Sequence, residues 1–171
     1  MKWFSALVLA VSLLSPYAIA TEQDGDELKV DGKWLLGRVE WIWLPALDDK
    51  IKARIDSGAK TSSMSATGIE EFKKDKQRWI RFSFEHNKHM VRLEAPLSRY
   101  VKIRQANTKK LDRRPVVLLD VRLGDLEKAV EFTLKDRTRM LYPVLLGREF
   151  MGTKVLIDPS RLYIQPVLEK D

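Results

Sequence analysis

The stretch IKARIDSGAKTSSMSA, residues 51–66, decides how the fold of this chain is interpreted. Ile51, Ala53 and Ile55 alternate with charged residues, which is the period-two pattern of a half-buried strand. Asp56 follows directly and precedes a small polar turn, so the strand would deliver a carboxylate to a sheet edge. Three interpretations fit the stretch: a phosphate-binding loop, a catalytic aspartate, or the plain end of a strand.

The phosphate-loop interpretation does not fit the spacing of Gly58, Lys60 and Thr61. A P-loop places its lysine directly after the second glycine, so that backbone amides surround the phosphates while the ammonium reaches them. Here Ala59 intervenes, and the position of the first glycine, counted back from the lysine, is Arg54. We therefore set this interpretation aside.

The catalytic and structural interpretations of Asp56 both remain open from this stretch alone. Gly58 would let a substrate or a second backbone approach closely, and the short hydroxyl of Ser57 could brace a neighbouring loop. An aspartate that only caps the turn after a strand has the same local sequence. A second segment is needed to choose between them.

That second segment is the apolar run 143–146, which ends in Gly147 and Arg148 and continues into a short amphipathic stretch. An early hydrophobic-Asp-Ser-Gly-Ala combined with a late hydrophobic-hydrophobic-Gly-Arg resembles the retropepsin-like aspartic peptidases. The resemblance implies that the late segment packs beneath the aspartate loop and leads into a short helix.

Residue roles follow from the same resemblance. It implies that Asp56 is the catalytic aspartate, that Ser57 and Gly58 complete the catalytic triplet, and that Gly147 and Arg148 give structural support.

Six stretches, covering about residues 34–164, resemble one bacterial family more closely. They are GRVEWIWLP (37–45), IKARIDSGAKTSSMSA (51–66), WIRFSF (79–84), RRPVV (113–117), EFTLKDRTRMLYPVLLGREF (131–150) and VLIDPSR (155–161). The chain is identified as a member of the family named for ATP-dependent zinc proteases, which includes RimB-like peptidases found alongside ATP-grasp glutamate ligases.

The rest of the chain is typical of a mainly-β domain. Short strand-like runs separated by turn signals continue along it, and in WIRFSF three apolar residues share one face. Helical patterns are limited to residues 68–74 and 148–151. We predict a retropepsin-like closed β barrel, the acid-protease fold, with one or two short helices.

Neither ATP nor zinc is supported by the residues themselves. The sequence has no Walker motif and no HExxH motif, and it contains no cysteine. His86 and His89, the only histidines, flank a polar turn between two strand-like runs and lack an obvious third ligand. We interpret this turn as an exposed hairpin tip and expect no cofactor and no metal.

Aspartic peptidases use two carboxylates that share one proton, whereas this chain has a single Asp-Ser-Gly. The resemblance implies a homodimer in which each subunit contributes Asp56. A monomer would need another acid, for which Asp158 is the candidate, although its Ile-Asp-Pro-Ser context is also that of an ordinary turn.

The resemblance to retropepsins also implies a substrate-covering flap, which we place at residues 100–117 with its tip at residues 105–111. Basic residues near it could attract an acidic substrate, or they could form only a solvated face. The predicted substrate-binding residues are Lys60, Thr61, Gln105, Asn107, Arg113 and Arg114.

The first twenty residues read as a cleavable secretory signal peptide, since Lys2 precedes a short apolar run and a small-residue ending. We expect a flexible leader at residues 21–33, a peptidase domain at 34–171, and a periplasmic location without a stable membrane span. The formal charge of the whole sequence is +7. In an exported protein, this charge favours an acidic envelope polymer, an anionic membrane surface or an acidic protein or peptide partner over nucleic acid. The resemblance to a family found alongside glutamate ligases adds the expectation of a glutamate-containing substrate.

Three functions are therefore weighed. The leading one is an exported aspartic endopeptidase that hydrolyses a peptide or isopeptide bond. The alternatives are a non-catalytic module of the same fold that regulates or recruits an envelope protein, and a metal-dependent hydrolase.

Overall fold

The computed structural model describes residues 28–104 and 111–167. Within these ranges the chain forms β1 (Lys29–Val30), β2 (Lys33–Gly37), β3 (Val39–Leu44), β4 (Asp49–Ile55), β5 (Ser62–Ser65), β6 (Thr67–Lys74), β7 (Gln77–His86), β8 (His89–Arg104), β9 (Leu111–Leu123), β10 (Leu126–Lys135), β11 (Val144–Leu146), α1 (Arg148–Met151) and β12 (Val155–Asp158).

The strands form two sheets. The smaller has the order β1-β2-β12, and the larger has the order β10-β5-β11-β4-β3-β9-β8-β7-β6. The larger sheet curls back on itself, because β10 pairs with β9 as well as with β5. The predicted mainly-β architecture is confirmed, but the closure is incomplete, since β3 meets β9 at the single pair Trp43 and Arg122.

The core lies inside the curled sheet, as the alternating patterns predict. In β7, Ile80, Phe82 and Phe84 are fully buried, whereas the intervening Arg81 and Ser83 are half-buried. Side chains of a strand point alternately to its two faces, so one face of β7 is continuous with the core. The prediction for WIRFSF is confirmed.

Residues 68–74 form a strand, so the predicted helix at this position is wrong. They belong to β6, which pairs antiparallel with β7 across a two-residue turn at Asp75 and Lys76. Both turn residues have positive φ, 49° and 63°, as tight hairpin turns require. A seven-residue helix would be marginal alone, and the ladder to β7 satisfies the same backbone groups. The short helix predicted at 148–151 is confirmed as α1.

The central arrangement of the larger sheet determines where the site lies. β11 is inserted between β4 and β5, running parallel to β4 and antiparallel to β5. The end of β4, the start of β5 and the end of β11 consequently meet at one place. The residues that follow β4 and β11 form the candidate site there.

Part of the predicted leader is structured. Lys29–Val30 form β1, which pairs with β2. Residues 21–27 of the predicted leader lie outside the described ranges. The predicted signal peptide also lies outside them, and both remain predictions. Among the described residues, no helix is long and apolar enough to cross a membrane.

Candidate active site

Asp56 lies immediately after β4 and is half-buried. Its N–H donates to the Leu146 carbonyl at 2.9 Å, and its Oδ1 accepts from the N–H groups of Gly58 at 3.0 Å and Ala59 at 3.3 Å. Two backbone donors thus fix one carboxylate oxygen. Among the described residues nothing donates a hydrogen bond to Oδ2, which leaves that oxygen for water or a substrate.

Gly147 packs against the backbone of the loop that follows Asp56. A Cβ at this position would lie 2.7 Å from the carbonyl carbon of Thr61 and 2.9 Å from the carbonyl oxygen of Lys60. The Gly147 N–H donates to the buried hydroxyl of Ser62 at 3.1 Å. Only glycine permits this close approach of two backbone segments.

Arg148 links α1 to the same loop through both its backbone and its side chain. Its N–H donates to the Ala59 carbonyl at 2.9 Å. Its Nη1 donates to the carbonyls of Ser57 at 2.8 Å and Gly58 at 2.9 Å. The loop that carries Asp56 is therefore held from one side by β11 and from the other by the start of α1.

The predicted substrate-binding residues nearest in sequence to Asp56 differ in exposure. The Lys60 side chain is 77% exposed, and its Nζ lies 3.8 Å from Oε1 of Glu149. Such an exposed ion pair stabilises little and leaves the ammonium mobile. Thr61 is half-buried, with its carbonyl against Gly147. Both assignments remain predictions.

The predicted flap residues that are described lie on the paired hairpin β8–β9. The Arg113 guanidinium lies over the Tyr100 ring at 3.6 Å, and Arg114 donates from Nε to Oδ2 of Asp112 at 2.7 Å. Both arginines thus have partners on the hairpin itself. The predicted flap tip, with Gln105 and Asn107, lies outside the described residues except for Leu111, so these assignments remain predictions.

The two histidines flank the tip of the β7–β8 hairpin, where His86 pairs with His89, and the hairpin-tip interpretation is confirmed. His86 Nε2 lies 2.7 Å from Oδ2 of Asp49, and this hydrogen bond lowers the pKa of Asp49. Within residues 28–104 and 111–167, no group of three or more His, Asp or Glu residues is placed to hold a metal ion.

Asp158 takes part in a turn. Its Oδ1 accepts from the Ser160 N–H at 2.9 Å and from the Ser160 hydroxyl at 2.6 Å, and these bonds lower its pKa. The turn interpretation of this segment is confirmed. One oxygen of Asp56 likewise accepts two hydrogen bonds, so Asp158 stays a predicted alternative for the second acid.

Sequence reasoning did not single out Arg137, in the loop between β10 and β11. Burial lowers the pKa of this guanidinium, and the negative charge of Asp56 opposes that shift. Arg137 is thus electrostatically coupled to the candidate catalytic group. The only sequence signal was its place in the EFTLKDRTRMLYPVLLGREF stretch, just before the second site segment.

A carboxylate held after a strand, with an inserted strand beside it that leads into a Gly-Arg helix start, is the arrangement that the resemblance to retropepsin-like aspartic peptidases implies. Residues 35–167 match the RimB-like family, described as "Retropepsin-like aspartic endopeptidase RimB". The chain belongs to this family, and its fold is the retropepsin-like fold predicted from the sequence.

Curated relatives carry a different name. A "Probable alpha-L-glutamate ligase" of Shewanella halifaxensis is 38% identical over 138 residues, which are 78% of this chain and 30% of the relative. A protein of the same name from Parasynechococcus marenigrum is 39% identical over 134 residues, 75% of this chain and 28% of the relative. The chain therefore spans less than a third of these relatives.

A solved structure shares the fold. The crystal structure of a Legionella pneumophila protein of unknown function has a TM-score of 0.67 and 32% sequence identity. The match covers 75% of this chain and 95% of that one.

Proposed function

We propose that this protein is an exported aspartic endopeptidase that hydrolyses a peptide or isopeptide bond. The observation that carries the proposal is the geometry of Asp56. One carboxylate oxygen is fixed by two backbone N–H groups, while Oδ2 has no donor among the described residues. Membership of a family described as endopeptidases supports the same function.

The proposed chemistry requires a second carboxylate, which a homodimer would supply as Asp56 of the partner subunit. The ionised carboxylate of the pair removes a proton from water, and the resulting hydroxide attacks the carbonyl carbon. The protonated carboxyl group donates to the carbonyl oxygen and stabilises the tetrahedral intermediate. The C–N bond then breaks, and the first carboxyl group gives the proton that it took from water to the leaving amine.

The test is cleavage of a diverse peptide library by residues 21–171, comparing the wild type with Asp56→Asn from pH 4 to 8, with and without a chelator. Asparagine retains the Oδ1 acceptor for Gly58 and Ala59, so the loop should stay folded while the general base is lost. We expect chelator-resistant cleavage by the wild type and a loss of at least about a thousandfold in Asp56→Asn. Cleavage that survives the substitution would contradict the proposal, and sensitivity to the chelator would favour a metal-dependent hydrolase.

The relatives' names favour a second candidate. Because a stretch similar to this chain makes up about 30% of proteins named as glutamate ligases, the fold could serve as a non-catalytic binding module. Absence of cleavage by the wild type under every condition would favour that candidate. A glutamate-containing substrate or partner would be compatible with both candidates.

A further inference from the structure

A cleft is formed by two segments distant in sequence. One is the loop between β10 and β11, and the other is the tip of the β7–β8 hairpin. The cleft encloses about 220 Å³, and the residues that line it include Ser65, Glu85, Asn87, Lys88, Arg137 and Met140. It is large enough for one or two amino-acid side chains.

Among the residues that line the cleft, Arg137 has a buried side-chain nitrogen without a hydrogen-bond partner in the described part of the chain. Its backbone N–H donates to Oγ of Ser65 at 3.2 Å, which anchors the start of the loop. Its Nε is buried and has no hydrogen-bond partner, and no carboxylate among the described residues forms an ion pair with its guanidinium. Buried donors are almost always paired in native proteins, with protein groups or with water, so Nε is available to an acceptor that enters the cleft.

The charges around the cleft select the sign of that acceptor. Arg137 and Lys88 provide two positive charges against the single carboxylate of Glu85. Asp56 and Arg114, neither of which lines the cleft, also act on Arg137 with opposite signs, and the effect of Asp56 is the larger. The charges of the lining residues favour an anionic group, which enters the cleft without displacing an existing ion pair.

We propose that Arg137 is a specificity-determining residue that binds a carboxylate of the substrate in this cleft. A guanidinium presents parallel N–H donors that match the two oxygens of a carboxylate, and a neutral amide cannot reproduce this pairing. The carboxylate belongs either to an Asp or Glu side chain or to the carboxyl terminus of a peptide. This inference rests on the proposed peptidase function.

The test measures peptide binding in Asp56→Asn protein, obtained by expressing the full-length sequence, so that no cleavage occurs. The probes are three pools of acetylated pentapeptides: amidated with a central Glu, amidated with a central Gln, and central Gln with a free carboxyl terminus. We expect either the first or the third pool to bind about 10- to 100-fold more tightly than the second. Which pool does so identifies the source of the carboxylate.

The variant Arg137→Gln should abolish this preference, and Arg137→Lys should retain only part of it because lysine lacks the planar fork. Arg139→Gln is the matched control, since Arg139 is an exposed residue of the same loop, and it should leave the preference unchanged. Comparing Glu with Gln pools on one protein separates recognition from any loss of folding. Equal binding of all three pools, or a preference that persists in Arg137→Gln, would overturn the proposal.

The outcomes also separate this inference from the peptidase function. If carboxylate binding depends on Arg137 but the wild type cleaves no peptide, the anion site is supported and the peptidase function is contradicted. If cleavage depends on Asp56 but acidic residues in the substrate make no difference, the peptidase function is supported and the role of Arg137 is contradicted.

Discussion

At the scale of single residues, the site depends on a glycine where two backbones leave no room for a side chain. Gly147→Ala would place a methyl group within 3 Å of three backbone atoms of Lys60 and Thr61. We expect it to lower the free energy of unfolding by about 3 kcal/mol, because the clash is with backbone and the loop must shift. Urea denaturation measures this cost.

Gly32→Ala, in the turn between β1 and β2, is the control for that prediction. A Cβ there meets nothing within 4 Å, so the substitution should cost only the strain of a positive φ, about 1 kcal/mol. Equal costs for the two variants would show that the tight contact at Gly147 is not a constraint.

Individual residues also show how far the sequence alone could go. The placement of Asp56 after a strand could be predicted, since the alternation of Ile51, Ala53 and Ile55 is a local signal. Arg137 could not be found in this way, because the burial of its unpaired Nε depends on how its loop packs in the folded chain. The catalytic and substrate-binding roles remain predictions.

At the scale of elements, the carboxylate of Glu40 fastens the C-terminal segment, residues 161–165, to the turn between β2 and β3. Fully buried Glu40 accepts from the N–H groups of Gly37, Ile164 and Gln165. Glu40→Ala should cost about 3 kcal/mol of unfolding free energy, because three donors lose their acceptor. Thermal or urea unfolding measures it, and a cost under about 1 kcal/mol would contradict this assignment.

The pH dependence of that contribution has a definite sign. Burial raises the pKa of Glu40, while the backbone donors and the charge of Arg161 oppose the shift. A pKa raised in the folded state gives a contribution that is complete below the unfolded value and is lost as pH rises through the folded value. The stability of the wild type relative to Glu40→Gln should therefore fall as the pH rises above the ordinary carboxyl pKa of 4.5. A relative stability that grows with pH would contradict the direction of the shift.

Elements also account for the wrong prediction at residues 68–74. The sequence pattern there is ambiguous over seven residues, and pairing with β7 decides the outcome through the ladder and the ion pair of Glu71 with Arg78 at 2.5 Å. The strands with strict alternation, such as β7, were predictable because one face must be buried. The incomplete closure of the sheet could not be predicted from the sequence, because it depends on how closely β3 and β9 approach.

At the scale of the whole molecule, the proposed mechanism makes activity a property of two chains rather than one. Each chain carries a single Asp-Ser-Gly, so in the proposed mechanism the second catalytic acid comes from another copy. A closed two-fold dimer meets this need because it places the same residue of both subunits at the axis. The active species should consequently be a dimer by sedimentation.

Mixing wild type with Asp56→Asn protein tests this requirement directly. After unfolding and refolding an equal mixture, roughly one quarter of the dimers should carry two aspartates, as random pairing of subunits dictates. Total activity should then be about half of that of the same amount of wild type refolded alone, because half of the wild-type chains pair with an inactive partner. Activity that stays proportional to the wild-type chains added would mean that a single Asp56 suffices. The second acid would then have to be sought within the same chain.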